Sequence, residues 1–192
     1  MPRTKDFDPA DAVDAAMDLF WRKGYEATSV DDLVKHLGVG RGSLYATFGS
    51  KHQLYLRALD RYRTTRGADV VGLLGQGAPL RKALRVWLEG SIEATLGDPE
   101  RRGCMMVNAA AERGGLDPAA SRCVCANADA IERAVRDAIV RAQATGEVAP
   151  GKDARALARF FVVTSQGLAV AAKTTDRAIL HDTLEVALAT LD

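Results

Sequence analysis

Helix-start signals followed by apolar residues at helical spacing recur along the whole of this sequence. Asp8-Pro9 and Asp117-Pro118 each join a residue that caps helix N-termini to a proline suited to the first helical position. Apolar residues then return every three or four positions, as they do from Leu157 to Ala172, and no stretch alternates as a half-buried strand would. The sequence therefore predicts an all-α fold.

The composition indicates a globular chain. It has 192 residues, of which 47% are hydrophobic and 27% charged, so it can bury a core without disulfides or metal. The apolar runs fall well short of the ~18 residues of a membrane span, and the first residues lack the apolar stretch of a signal peptide. We therefore expect a cytoplasmic protein with no membrane partner.

The cysteines and histidines do not form a recognisable catalytic or metal-binding set. Cys123 and Cys125 lack the spacing of a zinc site and have no paired second half, and the three histidines lie far apart in the chain. No acid, base and nucleophile come together in the sequence. We therefore expect free thiols, no metal, no cofactor and no enzymatic activity.

The segment from Thr28 to Lys51 has the pattern of a helix-turn-helix. Two short helical stretches are joined by a tight turn at residues 38–40. The apolar positions that pack them are Val30, Leu33, Val34, Leu37, Val39, Leu44 and Phe48. The polar positions of the second helix that are left facing outward are Arg41, Ser43, Tyr45 and Thr47. Such a unit places its second helix in the major groove of DNA.

Charge is distributed unevenly around this segment. The whole chain has a formal net charge of only +1, but residues 33–66 contain seven basic residues and one acid, a balance of +6. Residues 67–192 contain 15 basic and 16 acidic residues. A basic stretch beside a helix-turn-helix is typical of phosphate binding. Two alternatives stay open: incidental arginines on a solvated surface, and a helical interaction protein that does not bind DNA.

These residues resemble the TetR family of bacterial transcriptional regulators. The matching positions, between about Asp8 and Leu59, are Phe20, Gly24, Tyr25, Thr28, Ser29, Gly38, Val39, Gly42, Tyr45, Phe48, Ser50 and Lys51. The resemblance implies a three-helix DNA-binding domain (1–50) and a helical effector-binding and dimerisation domain (51–192) that begins with a connecting helix (51–74). It also implies a repressor that binds a palindromic operator as a homodimer joined through its two C-terminal helices.

The resemblance also implies which residues touch double-stranded DNA. The phosphate contacts would come from Thr28, Tyr45 and Lys51, with Thr28 also capping its helix, and Ser29 would be a further DNA-binding residue. Arg41 and Ser43 would read base edges, since an arginine can make a bidentate contact to guanine. Gly42 would let the backbone approach closely.

Two positions depart from the family pattern. Thr47 stands where His or Tyr is usual, so one backbone contact is expected to be weaker or altered. Gly40 stands where Ser or Thr usually caps the recognition helix, so that helix is expected to fray more easily. Ahead of the first helix, Arg3 and Lys5 form either a basic arm that reaches DNA or an unstructured terminus.

The resemblance further implies that the C-terminal domain binds a small-molecule inducer. An irregular piece is predicted around Cys104, which follows Arg101 and Arg102, and nearby positive charge favours a reactive thiolate. The stretch from Gly103 resembles the G-C-x-x-V segment of a subgroup that includes sensors of electrophiles and oxidants, in which Lys173 occupies the place of a lysine near the cysteine. Cys104 and Lys173 are therefore candidate sensor residues, with a structural thiol as the alternative.

Overall fold

The computed structural model describes residues 7–192, so Arg3 and Lys5 lie outside the described residues. This part of the chain consists of helices and contains no strand, and none of its helices is long and apolar enough to cross a membrane. The helices are α1 (Pro9–Lys23), α2 (Val30–Leu37), α3 (Arg41–Phe48), α4 (Lys51–Tyr62), a π-helical turn (Arg63–Gly67), α5 (Ala68–Gly75), α6 (Leu80–Leu96), α7 (Met105–Arg113), α8 (Pro118–Ala144), α9 (Ala154–Ala171) and α10 (Arg177–Ala189). The all-α prediction is confirmed.

Two helix starts follow the capping signals in the sequence. The Asp8 carboxylate accepts a hydrogen bond from the backbone N–H of Ala10 at 2.7 Å, and the Asp117 carboxylate accepts from Ala119 and Ala120 at 3.0 and 3.1 Å. These bonds satisfy backbone donors that have no partner within the helix. The capping pairs thus predicted the first residues of α1 and α8 correctly.

Helix α2 is capped by Ser29. The Ser29 hydroxyl accepts from the backbone N–H of Asp32 at 3.0 Å, and the Asp32 carboxylate accepts from the backbone N–H of Ser29 at 2.9 Å, which forms a capping box. Thr28 is fully buried, and its hydroxyl donates to the Gly24 carbonyl at 2.6 Å. The prediction that Thr28 caps this helix is wrong, because its hydroxyl ties the chain back to the end of α1.

The connecting helix consists of α4, the π-helical turn and α5, which follow one another without an intervening loop. Within the turn, Gly67 is buried and packs against Asn127 of α8. A Cβ built on Gly67 would lie only 2.4 Å from the Asn127 Oδ1. Glycine therefore permits a close approach between the connecting helix and α8 that a larger residue would obstruct.

Two apolar clusters form the core. The larger lies in the C-terminal part, where α5, α6, α8, α9 and α10 bury side chains such as Leu84 and Phe161. The second joins α1–α4 to α7 and α8, since Met106 belongs to the same cluster as Phe20. Packing therefore continues across residue 50, and a domain boundary at that residue stays a prediction.

Helix α7 was not expected from the sequence, which predicts an irregular piece around Cys104. Cys104 precedes the helix and makes no side-chain capping hydrogen bond, and the nine residues of α7 include three alanines. The sequence therefore offers no clear start signal. Packing against α4, α8 and α9 holds the helix in place.

Candidate nucleic-acid interface and effector cavity

Helix α3 packs on α2 through apolar side chains and leaves its polar side exposed. Leu33 of α2 and Leu44 and Phe48 of α3 are at most 1% exposed. On the other side of α3, Arg41 is exposed and 41% of the Tyr45 surface is accessible. The helix-turn-helix predicted from the sequence is therefore formed, with its second helix facing solvent.

The Arg41 guanidinium is engaged by a neighbouring carboxylate. It forms an ion pair with Asp31 of α2. Both side chains are more than half exposed, so water and salt screen the pair and it stabilises the fold little. The guanidinium is therefore not committed to a buried partner and stays accessible to other groups.

The remaining predicted contact residues of α3 differ in exposure. Gly42 is exposed, whereas Ser43 and Thr47 are half-buried. Gly40 gives the start of α3 no side-chain cap, so the backbone donors of its first turn lack that partner. Such donors at a helix N-terminus are suited to an anion, including a DNA phosphate.

Lys51 is held at the start of α4. Its Nζ lies 4.2 Å from the centre of the Tyr25 ring, a cation–π contact, and the preceding Ser50 hydroxyl accepts from the backbone N–H of Gln53 at 3.1 Å. The ring fixes the ammonium group beside the turn that follows α3. A positive charge is therefore positioned next to the recognition helix.

The two residues at the start of α2 differ in what they offer to DNA. Ser29 is exposed, whereas Thr28 is 0% exposed and has its hydroxyl bonded to Gly24. A Thr28 contact with phosphate would require unpacking the junction between α1 and α2. Among the predicted contact residues, Thr28 is the one whose side chain is inaccessible.

Helix α7 is tied to the end of α1 by two side chains that sequence reasoning did not single out. The Glu112 carboxylate accepts hydrogen bonds from the backbone N–H groups of Tyr25 and Glu26 at 2.9 and 2.8 Å. Arg113 pairs with Glu26 and lies 4.7 Å from the centre of the Tyr25 ring. These contacts join the C-terminal helices directly to the helix-turn-helix.

A second polar contact links α4 to α8. The Nε2 of His52 lies 2.7 Å from Asp117 Oδ2, and Arg113 lies 3.7 Å from the same carboxylate. Burial acts to raise the pKa of Asp117, but the hydrogen bonds from Ala120 and His52 favour the charged form and hold that pKa below its ordinary value. The carboxylate that caps α8 therefore also holds α4.

A cavity of about 520 Å³ lies behind the DNA-binding helices, between α1, the connecting helix and helices α6–α9. Both tryptophans of the chain, Trp21 and Trp87, line it, together with aliphatic side chains such as Ile131 and Val162. Its size and largely apolar walls are typical of a small-molecule site. The cavity also touches the two helices, α1 and α4, that support the recognition helix.

The Cys104 thiol lines this cavity beside Tyr62. The Tyr62 hydroxyl donates to the Cys104 sulfur over 3.7 Å. Burial, and after it the neighbouring sulfur, raises the pKa of Tyr62 above its ordinary value. Tyr62 therefore remains a protonated donor. The candidate sensor thiol thus lies where α4 borders the cavity.

The cationic side chains expected beside Cys104 are bonded to other groups. Arg101 donates to the Ala172 carbonyl at 3.2 Å, and Arg102 pairs with the Asp18 and Asp98 carboxylates at 2.7 Å each. Lys173 donates to the Asn108 Oδ1 at 2.6 Å. The positive charge predicted to act on the thiol is therefore engaged by nearby oxygens instead. These pairs fix the loop that carries Cys104 against α1, α7 and α9.

Comparison with known protein families covers most of the chain. Residues 12–58 match the family described as bacterial regulatory proteins, tetR family, and residues 78–188 match the tetracyclin repressor-like C-terminal domain. The chain belongs to the TetR family. It is therefore a DNA-binding transcriptional regulator with an N-terminal helix-turn-helix domain and a helical C-terminal domain, and not an enzyme.

This TetR-family chain is similar to other regulators over nearly its whole length. It is 35% identical to the uncharacterized HTH-type transcriptional regulator YezE of Bacillus subtilis (strain 168) over 195 residues, which cover 100% of both chains. It is 30% identical to the HTH-type transcriptional repressor ComR of Escherichia coli (strain K12) over 190 residues, 98% of this chain and 90% of that protein.

Solved TetR-family structures share the fold. A cysteine-substituted CifR in complex with 26-bp double-stranded operator DNA has a TM-score of 0.87 and 30% identity, and 100% of both chains is covered. The reduced form of E. coli NemR has a TM-score of 0.78 over 95% of this chain and 94% of that one. At 20% identity, NemR shows a likeness of fold alone.

Proposed function

We propose that this TetR-family regulator is a repressor that binds a palindromic operator as a homodimer and leaves it when a small molecule occupies the cavity. The observation that carries the proposal is the exposure of Arg41 and Tyr45 on α3, which lies within a stretch of net charge +6. Positive charge favours the phosphate backbone, and the exposed Arg41 side chain reaches base edges. ComR is named a repressor, which supports this direction of regulation. Because bacterial operators lie in the cytoplasm, the proposal places the protein there.

The proposed contacts are of two kinds, those to base edges and those to the phosphate backbone of DNA. Arg41 and Ser43 read base edges in the major groove, and Gly42 permits the close approach. The proposed phosphate contacts are Ser29, Tyr45 and Lys51, with a weaker one from Thr47. Thr28 is left out, because its buried hydroxyl serves the junction between α1 and α2.

The proposed dimer interface is an apolar stripe on α9 and α10. Phe160, Val163 and Val170 are exposed on α9, and Ile179 and Val186 are exposed on α10. Residues three, four or seven positions apart lie on one face of a helix, so each helix carries these exposed apolar side chains on a single face. Exposed apolar side chains grouped in this way mark an association surface. A second copy of the chain, related by two-fold symmetry, covers the stripe in our proposal.

Release is proposed to pass from the cavity to the DNA-binding helices through Trp21 and Tyr62. Trp21 of α1 and Tyr62 of α4 both line the cavity and pack edge to face, with ring centres 5.2 Å apart. A ligand that displaces either ring moves α1 and α4 together. In a dimer such a movement changes the spacing of the two recognition helices and favours a state that no longer fits the operator.

A mobility-shift assay on the DNA upstream of the protein's own gene tests the contacts. Arg41→Ala and Tyr45→Phe are expected to weaken binding severalfold, because each removes a group that faces DNA in the proposal. Arg136→Ala is the matched control, since it removes the same charge from an exposed position on α8. Normal binding by both α3 variants would refute the assignment of the recognition helix.

A second candidate function is release by modification of Cys104. The observation that favours it is the position of the thiol, which lines the cavity and contacts Tyr62 of α4. A group attached to the sulfur would occupy part of the cavity and displace the Tyr62 hydroxyl. Cys104, with Lys173 holding the neighbouring α7 through Asn108, would then act as an electrophile sensor.

N-ethylmaleimide separates the two modes of release. If Cys104 is the sensor, the reagent releases the operator from the wild type and from Cys125→Ser, but not from Cys104→Ser. Cys125 is a useful control because it is the exposed thiol of the chain, whereas Cys104 is half-buried. Equal release from wild type and Cys104→Ser would exclude Cys104 as the sensor.

A further inference from the structure

The cavity contains one deeply buried polar side chain without a partner. Asn127 of α8 is 9% exposed and lines the cavity. Within residues 7–192, its side-chain amide makes no hydrogen bond, although the other buried polar side chains, Thr28, Thr95 and Asp117, are all bonded. The amide atoms are accessible from the cavity and are not enclosed in the core, so a bound molecule that displaces water there gains by supplying a hydrogen bond.

The orientation of Asn127 decides which kind of hydrogen bond is available. Its Oδ1 faces Gly67 in the π-helical turn, close enough that a Cβ on that glycine would lie 2.4 Å away. Oδ1 is therefore packed against this turn, and Nδ2 is the amide atom directed away from it. Because Nδ2 is a donor, the bound molecule must present an acceptor such as a carbonyl oxygen.

The charges around the cavity indicate an uncharged molecule. Among the lining residues, Asp98 and Arg102 neutralise each other at 2.7 Å. Arg66 and Asp69 also line the cavity, but both are exposed and carry opposite charges. The deep part of the site therefore offers no unbalanced charge, and burying an ionised ligand there would be unfavourable.

We propose that the cavity binds an uncharged, largely apolar molecule that carries a carbonyl or similar acceptor, and that Asn127 Nδ2 is its polar anchor. This inference rests on the proposed function, in which the same cavity is the effector site. It goes further in naming the ligand class and the residue that selects it. The Asn127 amide lies against Gly67, so the anchor also contacts the connecting helix that leads to the DNA-binding domain.

Two naphthalenes of nearly equal shape test the ligand class. 2-Acetylnaphthalene carries a carbonyl acceptor, and 2-ethylnaphthalene replaces it with a methylene group. Equilibrium dialysis gives their dissociation constants, and tryptophan emission reports where they bind, because Trp21 and Trp87 both line the cavity. Wild type is expected to bind the ketone about tenfold more tightly than the hydrocarbon, the effect of one hydrogen bond to a buried donor.

Substitutions of Asn127 test whether this residue is the anchor. Asn127→Leu is expected to abolish the preference for the ketone while still binding the hydrocarbon. Asn127→Asp keeps the shape of the side chain but has no donor when ionised, so it should lose the preference even if the leucine variant folds poorly. Gln166→Leu removes the other amide that lines the cavity and should retain the preference.

The outcomes decide between distinct conclusions. No tryptophan response to either compound, or equal affinities in wild type, would overturn the proposed ligand class. A preference that survives both Asn127 variants, or that disappears in Gln166→Leu instead, would overturn the anchor. Operator binding by the same proteins without any naphthalene is measured separately, so failure of this inference can be told apart from failure of the DNA-binding proposal.

Discussion

The indole Nε1 of Trp21 donates a 3.0 Å hydrogen bond to the carbonyl oxygen of Gly103. Trp21 belongs to α1, and Gly103 precedes Cys104 with a φ of +69°, a conformation that favours glycine. A Cβ at this position would also lie 2.9 Å from the Ala169 carbonyl and from Lys173 Cε. The loop that carries the thiol is therefore fixed between α9 and the DNA-binding helices.

Trp21→Phe tests what this hydrogen bond contributes. The variant keeps an aromatic ring against Tyr62 but leaves the half-buried Gly103 carbonyl without its donor. We expect the free energy of unfolding to fall by about 1–3 kcal/mol, the usual cost of leaving such a group unpaired. Urea denaturation measures the change. An unchanged free energy of unfolding would show that water replaces the indole at no cost.

Asp117 is expected to give the fold a pH-dependent contribution. Because its folded pKa lies below the ordinary value of 3.8, the carboxylate stabilises the fold above that pH and loses the contribution as pH falls through the folded pKa. Asp117→Asn keeps a capping side chain but removes the charge that faces His52 and Arg113. It should be less stable than wild type at neutral pH, and the difference should shrink in acid.

Denaturation in urea across a pH series checks the prediction for Asp117. Asp129→Asn, at an exposed position on the same helix, removes an equal charge and should match wild type at every pH. A stability difference for Asp117→Asn that is the same at neutral and acidic pH would contradict the predicted role of the carboxylate.

The helix layout could be predicted largely because capping is a local property. An aspartate followed by proline fixes the start of a helix wherever it occurs, and α1 and α8 begin after Asp8 and Asp117 as expected. The solvent-facing side of α3 likewise follows from the spacing of Leu44 and Phe48, which must both be buried.

Contacts between distant parts of the chain could not be predicted in this way. The hydrogen bond between Tyr25 and Glu112 joins residues 87 positions apart, and no local pattern pairs them. The contact between Gly67 of the π-helical turn and Asn127 of α8 likewise joins residues far apart in the chain. The adjacent arginines suggested a charged environment for Cys104, but Arg102 pairs with the distant Asp18 and with Asp98, four residues before it.

Gly67→Ala tests the packing of the π-helical turn against α8. The added Cβ would lie 2.4 Å from the Asn127 Oδ1, so the amide must move, and we expect a loss of about 1–3 kcal/mol in the free energy of unfolding. In an Asn127→Ala background the obstruction is absent. There the same substitution should stabilise the protein by up to about 1 kcal/mol, because alanine favours a helix more than glycine does.

Gly72→Ala provides the matched control for this cycle. Gly72 lies in α5 with nothing within 4 Å of a Cβ built on it, so the substitution should be mildly stabilising in both backgrounds. Urea denaturation of wild type, Gly67→Ala, Asn127→Ala and the double variant gives the coupling energy between the two positions directly. Additive effects of Gly67→Ala and Asn127→Ala would contradict a direct contact between the two residues.

The apolar stripe on α9 and α10 predicts that one charge placed on it dissociates the dimer. Val186 is 69% exposed on α10, and Val186→Glu would place a carboxylate against the apolar surface of a second copy, where its desolvation is costly. Sedimentation equilibrium should show a dimer for wild type and a monomer for the variant, with weaker operator binding because the two half-sites are no longer bound together. Val140→Glu, at a 51% exposed position on α8, is the control and should stay dimeric. A Val186→Glu protein that still dimerises like wild type would place the interface elsewhere.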